Sequence, residues 1–141
     1  MKNDEGSTLL LTIFYGFLSL VLVLLVVAAS SLYLERKRLF TLADGAALVG
    51  AEAFDLSDVQ VTPDGPSLVL DSADVVAAVR SYVASAPTAD FESLSIDSAG
   101  TADGRSATVS LSSYWRPPLV SLLVPEGFRI EVTARARSVF D

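Results

Sequence analysis

From Gly6 to Leu34 the chain reads GSTLLLTIFYGFLSLVLVLLVVAASSLYL, with no charged side chain. A helix needs roughly 20 apolar residues to cross the hydrocarbon core of a bilayer, so this run can span one with some tilt. Helices buried inside soluble proteins are seldom apolar over such a length. The expected anchor is a single transmembrane helix over residues 8–34, preceded by an N-terminal flank at residues 1–7. A cleaved signal peptide is the rival reading, with Lys2 as a basic start and Val27-Ala28-Ala29 as a cleavage site. Against it, the run exceeds the roughly 7–15 residues of a signal-peptide core, and Asp4 and Glu5 offset Lys2.

Within the span, Thr8, Thr12, Gly16 and Ser19 fall on one stripe at helical spacing. Small residues let a second helix approach closely, and hydroxyls can bond across the contact. The stripe is therefore a candidate packing face. The plainer reading is that Gly and Ser are common in membrane helices and sit there without a partner.

Glu35-Arg36-Lys37-Arg38 closes the apolar run. Beyond it, Leu39, Leu42, Ala43, Ala46, Gly50 and Ala53 recur every three or four residues, a narrow stripe of mostly small side chains. This predicts a helix continuation over residues 35–54 that packs closely against a sheet or another helix. Gly45 and Gly50 each weaken a helix by about 1 kcal/mol relative to Ala, so a break near either is allowed.

After Asp55 the pattern changes to that of a small domain, residues 55–141. Val59 and Val61 alternate with polar neighbours, Pro63-Asp64-Gly65-Pro66 marks a turn, and Ser67–Leu70 reads as a short strand. Asp71 or Ser72 can cap a helix running to about Ala86, with Val75, Val76, Val79 and Val83 inward. Residues 91–97 and 105–115 read as a hairpin about a turn from Ser98 to Gly104, with Val109, Leu111 and Trp115 on one face and Ser110 and Ser112 on the other. Pro117-Pro118 ends that strand, and Leu119–Val124 is a short apolar helix or turn. In the last strand Phe128, Ile130, Val132, Ala134 and Ala136 alternate with Arg129, Glu131, Thr133, Arg135 and Arg137. The fold class is α+β: a long N-terminal transmembrane helix continuing into a small, mostly antiparallel sheet domain with one or two covering helices.

Composition narrows the function. The chain has 17 acidic and 10 basic side chains, which argues against nucleic acid as a partner. It has neither Cys nor His, so thiol chemistry, imidazole metal sites and the usual general base are ruled out. A Ser–Lys arrangement would need a lysine in the domain, but the only lysines are Lys2 and Lys37. No enzyme activity and no cofactor are expected. Asp55, Asp58, Asp64, Asp71 and Asp74 lie close in sequence without calcium-loop spacing, and read as turn and cap residues rather than metal ligands. Arg129, Arg135 and Arg137 are either a patch for an acidic partner or an ordinary solvated sheet face, the reading favoured by Glu131 among them.

The N-terminal third resembles the TadE/TadG-like proteins of tight-adherence (Flp) pilus assembly. The resemblance covers about residues 4–54: Asp4-Glu5-Gly6-Ser7, the apolar run, Tyr33-Leu34-Glu35-Arg36-Lys37-Arg38-Leu39, and Leu42-Ala43-Asp44-Gly45-Ala46-Ala47-Leu48. The positions that carry it are Gly6, Arg36, Lys37, Arg38 and Asp44. It implies a non-enzymatic, pilin-like or pseudopilin-like component of the cytoplasmic membrane, with membrane lipid and other pilus-assembly or pilin-like subunits as partners and its domain outside the cytoplasm. Prepilins commonly carry Glu five residues after the cleaved Gly, where this chain has Leu11, which argues against processing after Gly6. The positive-inside rule also opposes the implied topology, because the basic cluster follows the span. The alternative to a pilus component is a membrane-anchored binding module that recognises a protein through its sheet.

Overall fold

The computed structural model describes residues 4–54, 59–63 and 65–138. The chain divides into two compact units, Met1–Leu34 and Glu35–Asp141. One helix, α1 (Asp4–Ala51), supplies all the described secondary structure of the first unit and enters the second without interruption. Neither Gly45 nor Gly50 breaks it. Most of the large side chains from Leu9 to Leu34 are exposed, as expected of a helix whose solvent is lipid.

In the second unit, β1 (Val59–Thr62) and β2 (Gly65–Leu68) form a separate antiparallel hairpin. The second strand lies two residues earlier than its pattern suggests. Val69 and Leu70 fall beyond it, and Leu70 is buried where its N–H donates to the carbonyl of Gly104. Next comes α2 (Ser72–Ser85), capped by Asp71, whose carboxylate accepts from the N–H of Ala73 at 2.6 Å. Such a cap satisfies a backbone donor that the first helical turn leaves unpaired. Val75 and Val79 are fully buried, while Val76 and Val83 are half-buried.

The main sheet is antiparallel, with strand order β3 (Glu92–Thr101), β4 (Ser106–Trp115), β5 (Phe128–Arg137). The β3–β4 turn is shorter than its sequence suggests, because Ser98 to Thr101 pair with Ser110 to Ala107 as strand. Two register shifts interrupt β3, between Glu92 and Ser95 and between Ile96 and Ser98. Ser93 sits in the first with φ of 52°, a conformation that non-glycine residues seldom adopt. The β4–β5 connection holds a single short turn of helix, α3 (Pro118–Ser121).

The core lies between the inner face of the sheet and the helices. Leu39, Leu42, Ala43, Ala46, Ala47 and Ala51 of α1 are buried, as are Val109 and Leu111 of β4 and Ile130, Val132 and Ala134 of β5. Fully burying a Leu or Val is worth about 1.5–3 kcal/mol each. Gly45 and Gly50 of α1 are close-approach points. A Cβ on Gly50 would sit 3.1–3.3 Å from Val75, Ala107 and Val79, and one on Gly45 would collide with the Tyr82 ring. Only a surface of Ala and Gly lets α1 settle this closely on α2 and the sheet.

Candidate functional site

Three sets of residues are candidates for function: the stripe in the apolar part of α1, the segment after it, and the outer face of the sheet.

Thr8, Thr12, Gly16 and Ser19 all lie on exposed helix. The Thr12 hydroxyl donates to the carbonyl of Thr8 at 2.9 Å, so it is already satisfied within the helix. A methyl placed at Gly16 would meet nothing within 4 Å. The stripe therefore presents small surface more than unsatisfied polarity, which is what close helix packing in lipid requires.

Gly6 lies in the first turns of α1. Arg36, Lys37 and Arg38 are exposed, and the Lys37 carbonyl accepts from the Thr41 hydroxyl at 3.0 Å. Asp44 is exposed too, opposite the buried Ala43, Ala46 and Ala47. The small residues around Asp44 thus build the core of the second unit, while the charged residues point outward.

The outer sheet face carries the most organised polar structure. Asp97 is the extra residue at the second register shift of β3. Its carboxylate accepts from Ser112 at 2.9 Å and pairs with Arg129 at 2.9 Å. Arg129 also donates to Ser112 at 3.2 Å and lies 3.5 Å from Glu131. Ser110 and Thr133 share a hydrogen bond of 2.8 Å across β4 and β5. Next to them, Arg135 donates to Asp103 at 2.6 Å and to Ser106 at 3.2 Å.

Asp103 organises the β3–β4 turn, accepting from the N–H groups of Arg105 at 2.9 Å and Ser106 at 2.7 Å. These two backbone donors, helped by the Ser106 hydroxyl and Arg135, hold its carboxyl well below the usual carboxylate range and outweigh an opposing effect of desolvation.

Ser110 and Ser112, placed by their parity on the face opposite Val109 and Leu111, are buried beneath this network. Arg129 and Arg135 remain solvent-exposed on the outer sheet face, as the favoured reading has it, and each also pairs with a carboxylate there. The alternation of Ser and Arg in β4 and β5 signals this network, but the position of Asp97 depends on a bulge that no local pattern marks. Every member is a hydroxyl, carboxylate or guanidinium. Such a set holds strands together and contains neither imidazole nor thiol. Among the described residues, no group of three or more acids is placed to hold a metal ion. Asp71 caps α2, and Asp55, Asp58 and Asp64 lie outside the described residues.

An apolar helix long enough to cross a membrane leads into a helix-covered antiparallel sheet, an α+β architecture consistent with a single-pass membrane anchor. Residues 6–53 match the family model of the Flp pilus-assembly TadE/G-like proteins (Tad). The likeness to that family is confined to this N-terminal segment. The match takes in the apolar run and the small-residue stripe, and ends before the strands begin. No curated protein and no solved structure matches the chain.

Proposed function

We propose that this protein is a minor pilin-like or pseudopilin-like component of Tad/Flp pilus assembly. Residues 8–34 anchor it in the cytoplasmic membrane, residues 35–54 carry the helix onward, and residues 55–141 complete an extracytoplasmic domain. Its partners are membrane lipid and other pilus-assembly subunits, met through the stripe of Thr8, Thr12, Gly16 and Ser19. Gly6, Arg36, Lys37, Arg38 and Asp44 are the exposed family positions available to those partners.

The observation that supports this most is the continuity of α1, apolar and exposed over most of the matched segment and packed into the domain core over the rest. A subunit built this way can pass force or position from the membrane to its domain along a single element. The alternative, a binding module acting through its sheet, has less to offer a partner, since Arg129 and Arg135 already have carboxylate partners within the fold.

Topology is tested with a single cysteine. Ser98 is exposed on β3 and the chain has no Cys of its own. Ser98→Cys should react with an impermeant thiol reagent in intact cells. Protection until lysis would put the domain in the cytoplasm, as the basic cluster after the span would have it. The assembly role predicts that pilus components co-purify from membranes and that deletion alters the fibres. Normal fibres and no such component would refute it. Intact mass reads out whether the chain is cut after Gly6, for which Leu11 argues no.

A further inference from the structure

The connection between β4 and β5 carries an unusual amount of exposed apolar surface. Leu122 and Leu123 are 79% and 86% exposed, and Leu119 and Phe128 are about half exposed (48% and 50%). Contacts within the second unit locate this tip. Tyr82 lies against Gly45 while Val75 and Val79 lie against Gly50, so α2 runs antiparallel to the end of α1. Phe91, just before β3, lines a groove of about 330 Å³ together with Arg38 and Leu42. At the other end of β3, Thr101 exchanges hydrogen bonds with the Ser72 hydroxyl at the start of α2. Hence β3 leads away from Arg38, and β4 returns toward it.

Lengths agree with this path. Ala107 lies beside Gly50. From there to Trp115 the strand covers about 26 Å. From Gly50 back to Glu35, α1 covers about 22 Å. The leucine tip therefore lies at the end of the domain that carries Glu35–Arg38, immediately after the apolar run ends at Leu34.

We propose that this tip is a second membrane contact, with Leu119, Leu122, Leu123 and Phe128 seated in the interfacial layer of the same bilayer that holds the apolar helix. The proposal rests on the membrane-anchor reading but not on which side the domain occupies, since the tip shares its end of the domain with Glu35–Arg38 in either orientation. Arg116 and Glu126, one of each sign, border the tip, so apolar area rather than lipid charge drives the contact. Arg116 fixes the base of the tip: its Nε donates to the Glu126 carbonyl at 3.0 Å and pairs with Glu92 at 3.2 Å, and its guanidinium lies 5.7 Å from the Tyr114 ring centroid. Trp115 and Phe128 stack behind it with centroids 6.3 Å apart. Aromatic rings with an adjacent guanidinium are the side chains that favour the level of the lipid headgroups. Two attachment points would restrict the tilt of the domain about the end of its anchor.

The test uses the full chain reconstituted in phosphatidylcholine vesicles, with single cysteines carrying an environment-sensitive fluorophore. Leu20→Cys reports the span, Leu123→Cys the tip, and Ala102→Cys the opposite end of the domain. Spin-labelled lipid should quench positions 20 and 123 several-fold more than position 102, and Leu122→Asp should remove the quenching at 123 but not at 20. A water-like, unquenched label at 123 with a quenched label at 20 overturns the tip contact while leaving the anchor intact. A blue-shifted label at 123 that lipid does not quench also overturns it, because protein (a second copy of the chain, for instance) then covers the tip. Absence of quenching at 20 sinks the anchor reading, and the tip proposal with it.

Discussion

Residues 6–34 and 35–51 belong to one helix, yet they solve opposite problems. The first stretch is built from Leu, Val and Phe with most side chains exposed, and the second buries Leu39, Ala43, Ala46, Ala47 and Ala51. Lipid offers bulky side chains a solvent as apolar as themselves, so bulk there requires no protein partner. Packing against α2 and the sheet rewards small residues, because each one lets two backbones come closer. A change from large to small apolar residues along one uninterrupted helix thus separates surface suited to lipid from surface packed against protein.

The largest test of this contrast replaces one leucine in each stretch. Leu39→Ala should destabilise the domain by about 3 kcal/mol, as core truncations do. Leu22→Ala should leave domain unfolding unchanged. Denaturant titration in detergent, followed by the fluorescence of Trp115, measures both, and equal effects would break the comparison.

A smaller effect is expected at the glycines. Gly50→Leu forces a side chain against Val75, Val79 and Ala107 and should cost about 2 kcal/mol. Gly16→Leu meets nothing within the chain. It should leave stability alone and weaken only association between membrane helices, read by crosslinking in vesicles.

Cations sharpen the same point at about 1 kcal/mol. Ser112→Ala removes a hydroxyl that bonds both Asp97 and Arg129, and should cost about that much. Arg38→Gln, at an exposed helix position, should stay within about 0.5 kcal/mol. A thermal melt of each variant decides between them.

The smallest effect is on pH dependence. Asp103 has its carboxyl lowered in the folded state by the N–H groups of Arg105 and Ser106. A group lowered on folding adds stability that is fully present above its unfolded value, about 3.9, and is lost as pH falls toward the folded value. Asp103→Asn should therefore flatten the fall in stability below about pH 4. An unchanged acid slope would mean that the turn hydrogen bonds do not hold the carboxylate in solution.

Much of the architecture was legible from periodicity. The apolar run, the Leu39 to Gly50 stripe, the Asp71 cap and the alternation from Phe128 to Ala136 all follow from 3.6- and 2-residue repeats set against a single solvent boundary. Strand edges were less legible. Ser98 to Thr101 look like part of a turn, yet pair with β4 because Asp103 and Gly104 already make the reversal. The outer-face network was the least legible, since it joins Asp97 to Arg129 across three strands through a bulge.

Read alone, the residues gave a long apolar helix, a small α+β domain and a chain without His or Cys, because hydropathy, period and residue inventory are local properties. The tertiary structure alone decided that α1 runs unbroken past Gly45 and Gly50, that the serines of β4 are buried, and that the exposed leucines lie at the end of the domain bearing Arg38. Those outcomes depend on which surfaces meet, and a glycine that weakens an isolated helix is retained where its missing side chain allows the closest packing.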